Sequence, residues 1–259
     1  MDKHYDAIII GAGMSGLGAG IRLAMFDKKV AIVEKHSISG GLNSYYNRGK
    51  RKLDVGLHAL TNFAAKGEKR KPLTKLLKQL RIPYDDLNLN EQTHSRIDFP
   101  ECSLKFTNDF EVLREEVKNN FPHDIEGFDK LTQFIDNYNE VDLTIGYLSA
   151  KEKVREFLKD PLLIDMLFCP VMIYGSAWEE DMDFSQFCIM FKSLYFEGFS
   201  RPVGGVRKII DRLLKRYEEV GGEIYFKKGV EKIIAPNNKA SGVVINGEEI
   251  SADLIISSI

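Results

Sequence analysis

No run of ~18 uninterrupted apolar residues occurs in this chain, so nothing in it reads as a transmembrane helix. Cysteine is scarce: Cys102, Cys169 and Cys188 are far apart and odd in number. That pattern excludes a disulfide frame or a zinc site and reads as reduced thiols in a cytosolic protein. Neither sign of charge dominates, since 36 basic against 38 acidic residues give a net charge of −2. No field of that size draws a chain to nucleic acid. The basic cluster from Lys66 to Lys71 is short and mixed with Glu68, which reads as a solvated loop. A P-loop is absent, as are a Ser-His-Asp arrangement, metal-ligand spacing and a paired-carboxylate motif. There is no internal repeat and no low-complexity segment. The first apolar strand begins at once, leaving no room for a signal peptide, so a cytoplasmic location is expected.

What is present is concentrated in the first 41 residues. Tyr5-Asp6-Ala7-Ile8-Ile9-Ile10 is a short apolar run suited to a buried parallel strand. It leads into Gly11-Ala12-Gly13-Met14-Ser15-Gly16, after which Leu17, Ile21, Ala24 and Met25 recur at helical spacing. Val30-Ala31-Ile32-Val33 is a second strand, closed by Glu34. A lone GxGxxG says little, but strand, turn, helix, strand and acid in this order read as a dinucleotide-binding unit. Gly11 allows the sharp turn, Gly13 leaves room for a pyrophosphate, and Gly16 lets helix and sheet pack closely. The pyrophosphate would rest on free N–H groups at the helix N-terminus, where the helix dipole favours an anion. Glu34 would accept from ribose hydroxyls, and its charge would repel a 2′-phosphate, which argues against NADP.

Six residues after Glu34 comes a second glycine turn, Gly40-Gly41, in Glu34-Lys35-His36-Ser37-Ile38-Ser39-Gly40-Gly41-Leu42. Further blocks are Leu53-Asp54-Val55-Gly56-Leu57-His58, Pro202-Val203-Gly204-Gly205-Val206, Gly221-Gly222-Glu223-Ile224 with Val230-Glu231-Lys232-Ile233, and the closing Ala252 to Ser257. In these blocks, spread along the whole chain, the sequence resembles the FAD-dependent oxidoreductases of the phytoene desaturase, carotenoid isomerase and retinol saturase group. The flavin amine oxidases are more distant relatives. The resemblance implies FAD as cofactor, held by Gly11, Ala12, Gly13, Met14, Ser15, Gly16, Glu34, Lys35, Gly40, Gly41 and Leu42. It also implies that Val230 touches the adenine through its backbone, where the plain reading is an ordinary core valine. Many relatives carry an Arg where this chain has Leu42; Lys35 or Arg48 would have to replace that charge, or both are solvated surface cations.

The fold class expected is α/β: a Rossmann-like FAD-binding domain with a parallel sheet in three layers, interrupted by a mostly helical α+β insertion. The FAD domain comprises residues 1–62 and 201–259, and the substrate or lid insertion 63–200. Leu73, Leu76, Leu77 and Leu80 mark a short helix, and Arg96–Phe99 with Ser103–Phe106 a hairpin. Helical spacing recurs through Phe110, Leu113 and Val117, then Ile125, Phe128, Leu131, Ile135 and Tyr138. A helix opened by Gly204-Gly205 puts Val206, Ile209, Ile210, Leu213, Leu214 and Tyr217 on one face and ends at Gly221-Gly222. Strands follow at Glu223–Phe226, Val230–Ile234 and Gly242–Asn246, with Asn246-Gly247 as a hairpin turn.

The insertion carries a dense apolar block, Leu162-Leu163-Ile164, Met166-Leu167-Phe168 and Val171-Met172-Ile173-Tyr174, with aromatics from Phe184 to Phe199 at helical spacing. Most of these read as the insertion's own core. Their remaining surface would line an apolar tunnel or rest on a membrane as a peripheral patch. The resemblance implies an apolar small-molecule substrate and hydride transfer at the flavin, in desaturation, saturation or isomerisation of a long isoprenoid, carotenoid-like or retinoid-like molecule. A flavin amine oxidase-like activity is one alternative, and a truncated, non-catalytic nucleotide-binding module another. His58 is the one candidate for proton transfer; the plain reading of it is structural. Family members run to nearly twice this length, so the chain is expected to be an N-terminal portion. No nucleic-acid partner and no metal are expected, and no feature sets an oligomeric state.

Overall fold

The structure is a computed structural model of the 259-residue chain, and it describes all residues except 57, 143 and 174–179. Leu57 and Tyr174, named above, lie outside the described residues. The chain divides into two compact units, one of residues 1–59, 66–90 and 201–259, the other of residues 60–65 and 91–200.

The first unit is built on a six-stranded sheet. Its elements are β1 (His4–Ile10), α1 (Met14–Ala24), β2 (Val30–Val33), the hairpin β3 (Tyr45–Arg48) and β4 (Arg51–Asp54), α2 (Pro72–Leu80) and α3 (Arg207–Glu219). Four strands follow: β5 (Glu223–Tyr225), β6 (Lys232–Ile234), β7 (Gly242–Ile245) and β8 (Glu248–Ser257). The sheet order is β6-β7-β8-β1-β2-β5. β8, β1, β2 and β5 are parallel, with Ile9 opposite both Ile256 and Ile32, while β6 and β7 join as an antiparallel arm. β1 from Ala7 to Ile10 and the whole of β2 are apolar and buried, because a strand between two neighbours, covered on both faces, has no side to give to water. The expected fold class, a mostly parallel α/β sheet of the Rossmann type, is the one observed. Asn246 and Gly247, both at positive φ, make the two-residue turn from β7 to β8 that the Asn-Gly pair announces.

The Asp54-Val55-Gly56 block leaves the sheet at its first residue, since the strand is Arg51–Asp54. Two expectations differ in detail. The strand expected at Val230 starts at Lys232, because the amides of Lys227 and Lys228 turn instead to the carbonyls of His36 and Glu34. Residues 66–90, placed by sequence in the insertion, group with the first unit. Arg22 Nη1 donates to Gln79 O at 2.8 Å, Arg216 Nε to Leu80 O at 3.1 Å and Arg212 Nε to Asp86 at 2.6 Å, tying α2 and its exit to α1 and α3. A short amphipathic helix read without its partners carries no sign of which unit it packs on.

Tyr217 locks α3 to the sheet. It is fully buried, and its hydroxyl lies 2.8 Å from the carbonyl of Val30 and 3.0 Å from that of Glu223. A Cβ on Gly222 would stand 2.0 Å from its ring and one on Gly20 2.8 Å, so both glycines make its place. Tyr217→Phe leaves two strand carbonyls without that donor and is expected to cost about 1–2 kcal/mol in urea unfolding. Burial pushes the Tyr217 phenol above its ordinary value. The folded state therefore keeps the proton: its stability is intact below pH ~10 and falls as the pH rises beyond it, less steeply in the Phe variant.

The second unit is mostly helical. A hairpin, Ser95–Asp98 with Ser103–Phe106, accompanies helices Phe110–Asn120, Ile125–Asn137, Ala150–Arg155, Pro161–Ile173 and Phe184–Phe191. The last runs on into a wider turn, Lys192–Phe196. Asp109, Ser149 and Asp183 cap three of these helices with side-chain oxygens on free amides. The apolar block and the aromatics of the sequence, Leu163, Met166, Phe168, Phe187 and Phe191 among them, form this unit's own buried core. Among the described residues no helix is long and apolar enough to cross a membrane.

Candidate functional site

At the carboxyl end of β1 the chain turns at Gly11, φ +99°, and its amide donates to Val33 O at 2.8 Å. A Cβ on Gly16 would stand 2.1 Å from the Gly11 carbonyl oxygen, so helix and turn meet at a separation only glycine permits. Gly13 is the opposite case: a Cβ there would meet nothing within 4 Å. No side chain caps α1, and no acidic residue sits in its first turn. The first amides of a helix have no intrahelical acceptor and carry the positive end of its dipole. Open space above Gly13 faces that end, an arrangement suited to a phosphate.

Glu34 stands beside the turn, only 6 % exposed. Its Oε2 accepts from the Ala12 amide and its Oε1 from the His36 amide, both at 2.8 Å. Each carboxylate oxygen has a second lone pair, so the group keeps acceptor capacity for hydroxyls. The second glycine turn docks on the first: Gly40 N donates to Ala12 O at 2.8 Å, and a Cβ on Gly41 would lie 3.4 Å from Gly13 Cα. Gly40 and Gly41 are both at positive φ. Leu42 follows, 85 % exposed.

The segment before β6 runs along the same strand end. Lys227 N donates to His36 O at 3.0 Å and Lys228 N to Glu34 O at 2.9 Å, while a Cβ on Gly229 would lie 3.4 Å from the Cβ of Lys35. Val230 is thereby brought beside Lys35, half-buried, and its amide and carbonyl make no hydrogen bond among the described residues. An open helix end, a carboxylate with lone pairs to spare and an unpaired backbone edge fit the phosphates, ribose and base of a dinucleotide in turn. Lys35 is exposed, and Arg48 sits at the turn end of the β3–β4 hairpin, opposite Arg51.

The block around His58 joins this site through Gly56, whose Cβ would stand 2.5 Å from the Leu42 carbonyl, and through Val55 N, which donates to Ser44 O at 3.1 Å. His58 is exposed; Arg201 donates to its carbonyl, and its ring has no polar partner among the described residues. Sequence reading missed the group that holds the block. Asp54, side chain 7 % exposed, lies between Arg201 at 3.1 Å and Arg207 at 3.2 Å. Both arginines flank Gly204-Gly205, so the two motif blocks were the signal that could have paired them. Tyr45 and Arg207 also face a cleft of about 200 Å³ floored by Ile210, Leu214 and Phe226; none of the glycine-turn residues lines it. No three His, Cys, Asp or Glu side chains converge as a metal site among the described residues.

Residues 14–259 match the family described as flavin containing amine oxidoreductase. The chain is 28 % identical to a chloroplastic prolycopene isomerase of Daucus carota, over 99 % of this chain and 46 % of that protein. It is 27 % identical to a neurosporene-forming phytoene desaturase of Rhodobacter capsulatus, over 97 % of this chain and 52 % of that one. A crystal structure of an oxidoreductase from Methanosarcina mazei superposes with a TM-score of 0.72 at 24 % identity, over 97 % of this chain and 58 % of that chain. The chain spans about half the length of the curated relatives it matches.

Proposed function

The chain belongs to the flavin containing amine oxidoreductase family, in kinship with carotenoid desaturases and isomerases, and we propose that its cofactor is FAD, held by the first unit. Gly11 to Gly16 and the start of α1 would take the pyrophosphate, Glu34 the adenosine ribose, and Val230 and Lys35 the adenine. Gly40, Gly41 and Leu42 would follow the chain of the cofactor toward the flavin. The observation that carries this reading is Glu34: a nearly buried carboxylate pinned by the Ala12 amide, beside a Gly13 with empty space above it.

When bound, the flavin supplies hydride acceptance and donation. The chain's own residues bind and orient. The approach of Gly56 to the Leu42 carbonyl supports a place for His58 on the flavin side of the site, where its imidazole would move the proton that accompanies the hydride. The substrate we infer is a long apolar isoprenoid of the carotenoid or retinoid kind, from the names of the relatives and the lack of any charged substrate-binding motif. Cofactor content tests the reading: the absorbance of purified chain, then chromatography of the nucleotide released on denaturation. FAD near one per chain is the expected result. None retained, and none taken up on reconstitution, would replace it with a non-catalytic module.

A further inference from the structure

We propose that the β3–β4 hairpin is a docking surface for an anionic phospholipid bilayer. The hairpin carries Arg48, Lys50, Arg51 and Lys52 within five residues, with no acidic residue among them, in a chain whose net charge is −2. All four are exposed, and none forms an ion pair among the described residues. In the other basic run Lys66 is held by Asp85 at 2.6 Å. The hairpin thus gathers four exposed cations on one small sheet with no acidic side chain between them.

The ladder sorts the hairpin's side chains by face. Tyr45 pairs with Asp54, Tyr46 with Leu53, Asn47 with Lys52, and Arg48 with Arg51 across a turn at Gly49, φ +61°. Alternation puts Tyr45, Asn47, Lys52 and Asp54 on one face, the face where Arg207 and Lys52 stand over the Tyr45 ring and Asp54 is buried. The other face holds Tyr46, 55 % exposed, Leu53, Arg48 and Arg51. Like charges directly opposite each other weaken a ladder, so Arg48 against Arg51 costs the isolated hairpin stability that an anion set between the guanidiniums would return. A tyrosine and a leucine beside the cations suit the headgroup region, where aromatic rings rest at the interface and the cations meet lipid phosphates. The inference stands on the hairpin alone, so cofactor content reports separately on the flavin reading.

The test is flotation of the full chain with vesicles of phosphatidylcholine, with and without phosphatidylglycerol. Binding is expected only with the anionic lipid and is expected to fade with added salt. Each cation near an anionic surface is worth about fivefold, so Lys50→Gln with Arg51→Gln should weaken binding about twenty-fivefold. Lys50→Arg with Arg51→Lys keeps the charge and should keep the binding, which separates lost charge from lost fold. Equal binding by wild type and the glutamine variant, or equal binding to neutral vesicles, would overturn the proposal. So would displacement by duplex DNA at concentrations matching the lipid, which would make the surface a general polyanion site.

Discussion

Gly13→Ala is expected to keep the fold and lose the flavin, while Gly16→Ala loses both. The two glycines stand three residues apart and read alike in sequence, yet their surroundings are opposite. At Gly13 the backbone is extended, φ −73° and ψ 178°, which alanine adopts freely, and a Cβ there touches nothing. The cost to stability is that of placing alanine for glycine at a helix N-cap, within about 1 kcal/mol. The methyl would occupy the space left for the pyrophosphate, so flavin per chain should fall to near zero, with the melting temperature close to that of the flavin-free wild-type chain. At Gly16 the new Cβ falls 2.1 Å from the Gly11 carbonyl oxygen and 2.8 Å from Ser258 Oγ. The first of these is backbone and cannot swing aside, so α1 must move off the turn, at a cost of about 3 kcal/mol or more.

Gly18→Ala supplies the control. It lies within α1, and a Cβ there also meets nothing within 4 Å. Replacing an unencumbered helical glycine should stabilise by about 0.5–1 kcal/mol and leave flavin content unchanged. If Gly13→Ala retained flavin as well as Gly18→Ala does, the space above Gly13 would not be the phosphate site.

Local grammar was legible, and long-range partnership was not. The β1–turn–α1–β2 unit, the Asn246-Gly247 hairpin and the helix closed by Gly221 can be read directly because each is specified by contiguous residues. Turn chemistry and periodicity act over a few positions. That β8 pairs with β1 is a different matter, since Ile256 lies opposite Ile9 across nearly the whole chain. An apolar strand buried on both faces advertises burial, not its neighbour. Residues 66–90 show the same limit: their allegiance to the first unit rests on Arg22, Arg212 and Arg216, three arginines of a kind common on any helix surface. In the site, the glycines and Glu34 were legible because backbone geometry demands those residue types. The role of Asp54 was not, because it depends on two arginines about 150 residues further along.

Asp54→Ala is the second large effect expected. The carboxylate is nearly buried, and Arg201 Nη2 lies 3.1 Å from one oxygen and Arg207 Nη2 3.2 Å from the other. The latter oxygen, Oδ1, is buried without a hydrogen bond, so the charge of Arg207 is what compensates it. Removing one partner of a buried pair costs about 3–5 kcal/mol, because the other charge is stranded. Arg201 is 47 % exposed, and water takes up part of that loss. About 2–3 kcal/mol is therefore expected in urea unfolding. Arg207→Leu alone strands the Oδ1 side of Asp54 and should cost a comparable amount. Asp54→Ala with Arg207→Leu should cost less than the two summed, since neither charge is then left buried alone. A strictly additive pair would mean that the two side chains do not compensate each other. The tie also reaches the site, because Arg201 donates to the His58 carbonyl while it holds Asp54. Loss of Asp54 should therefore speed amide exchange at Val55, Gly56 and His58 well beyond any change at Ile8 or Ile9, whose strand it does not touch.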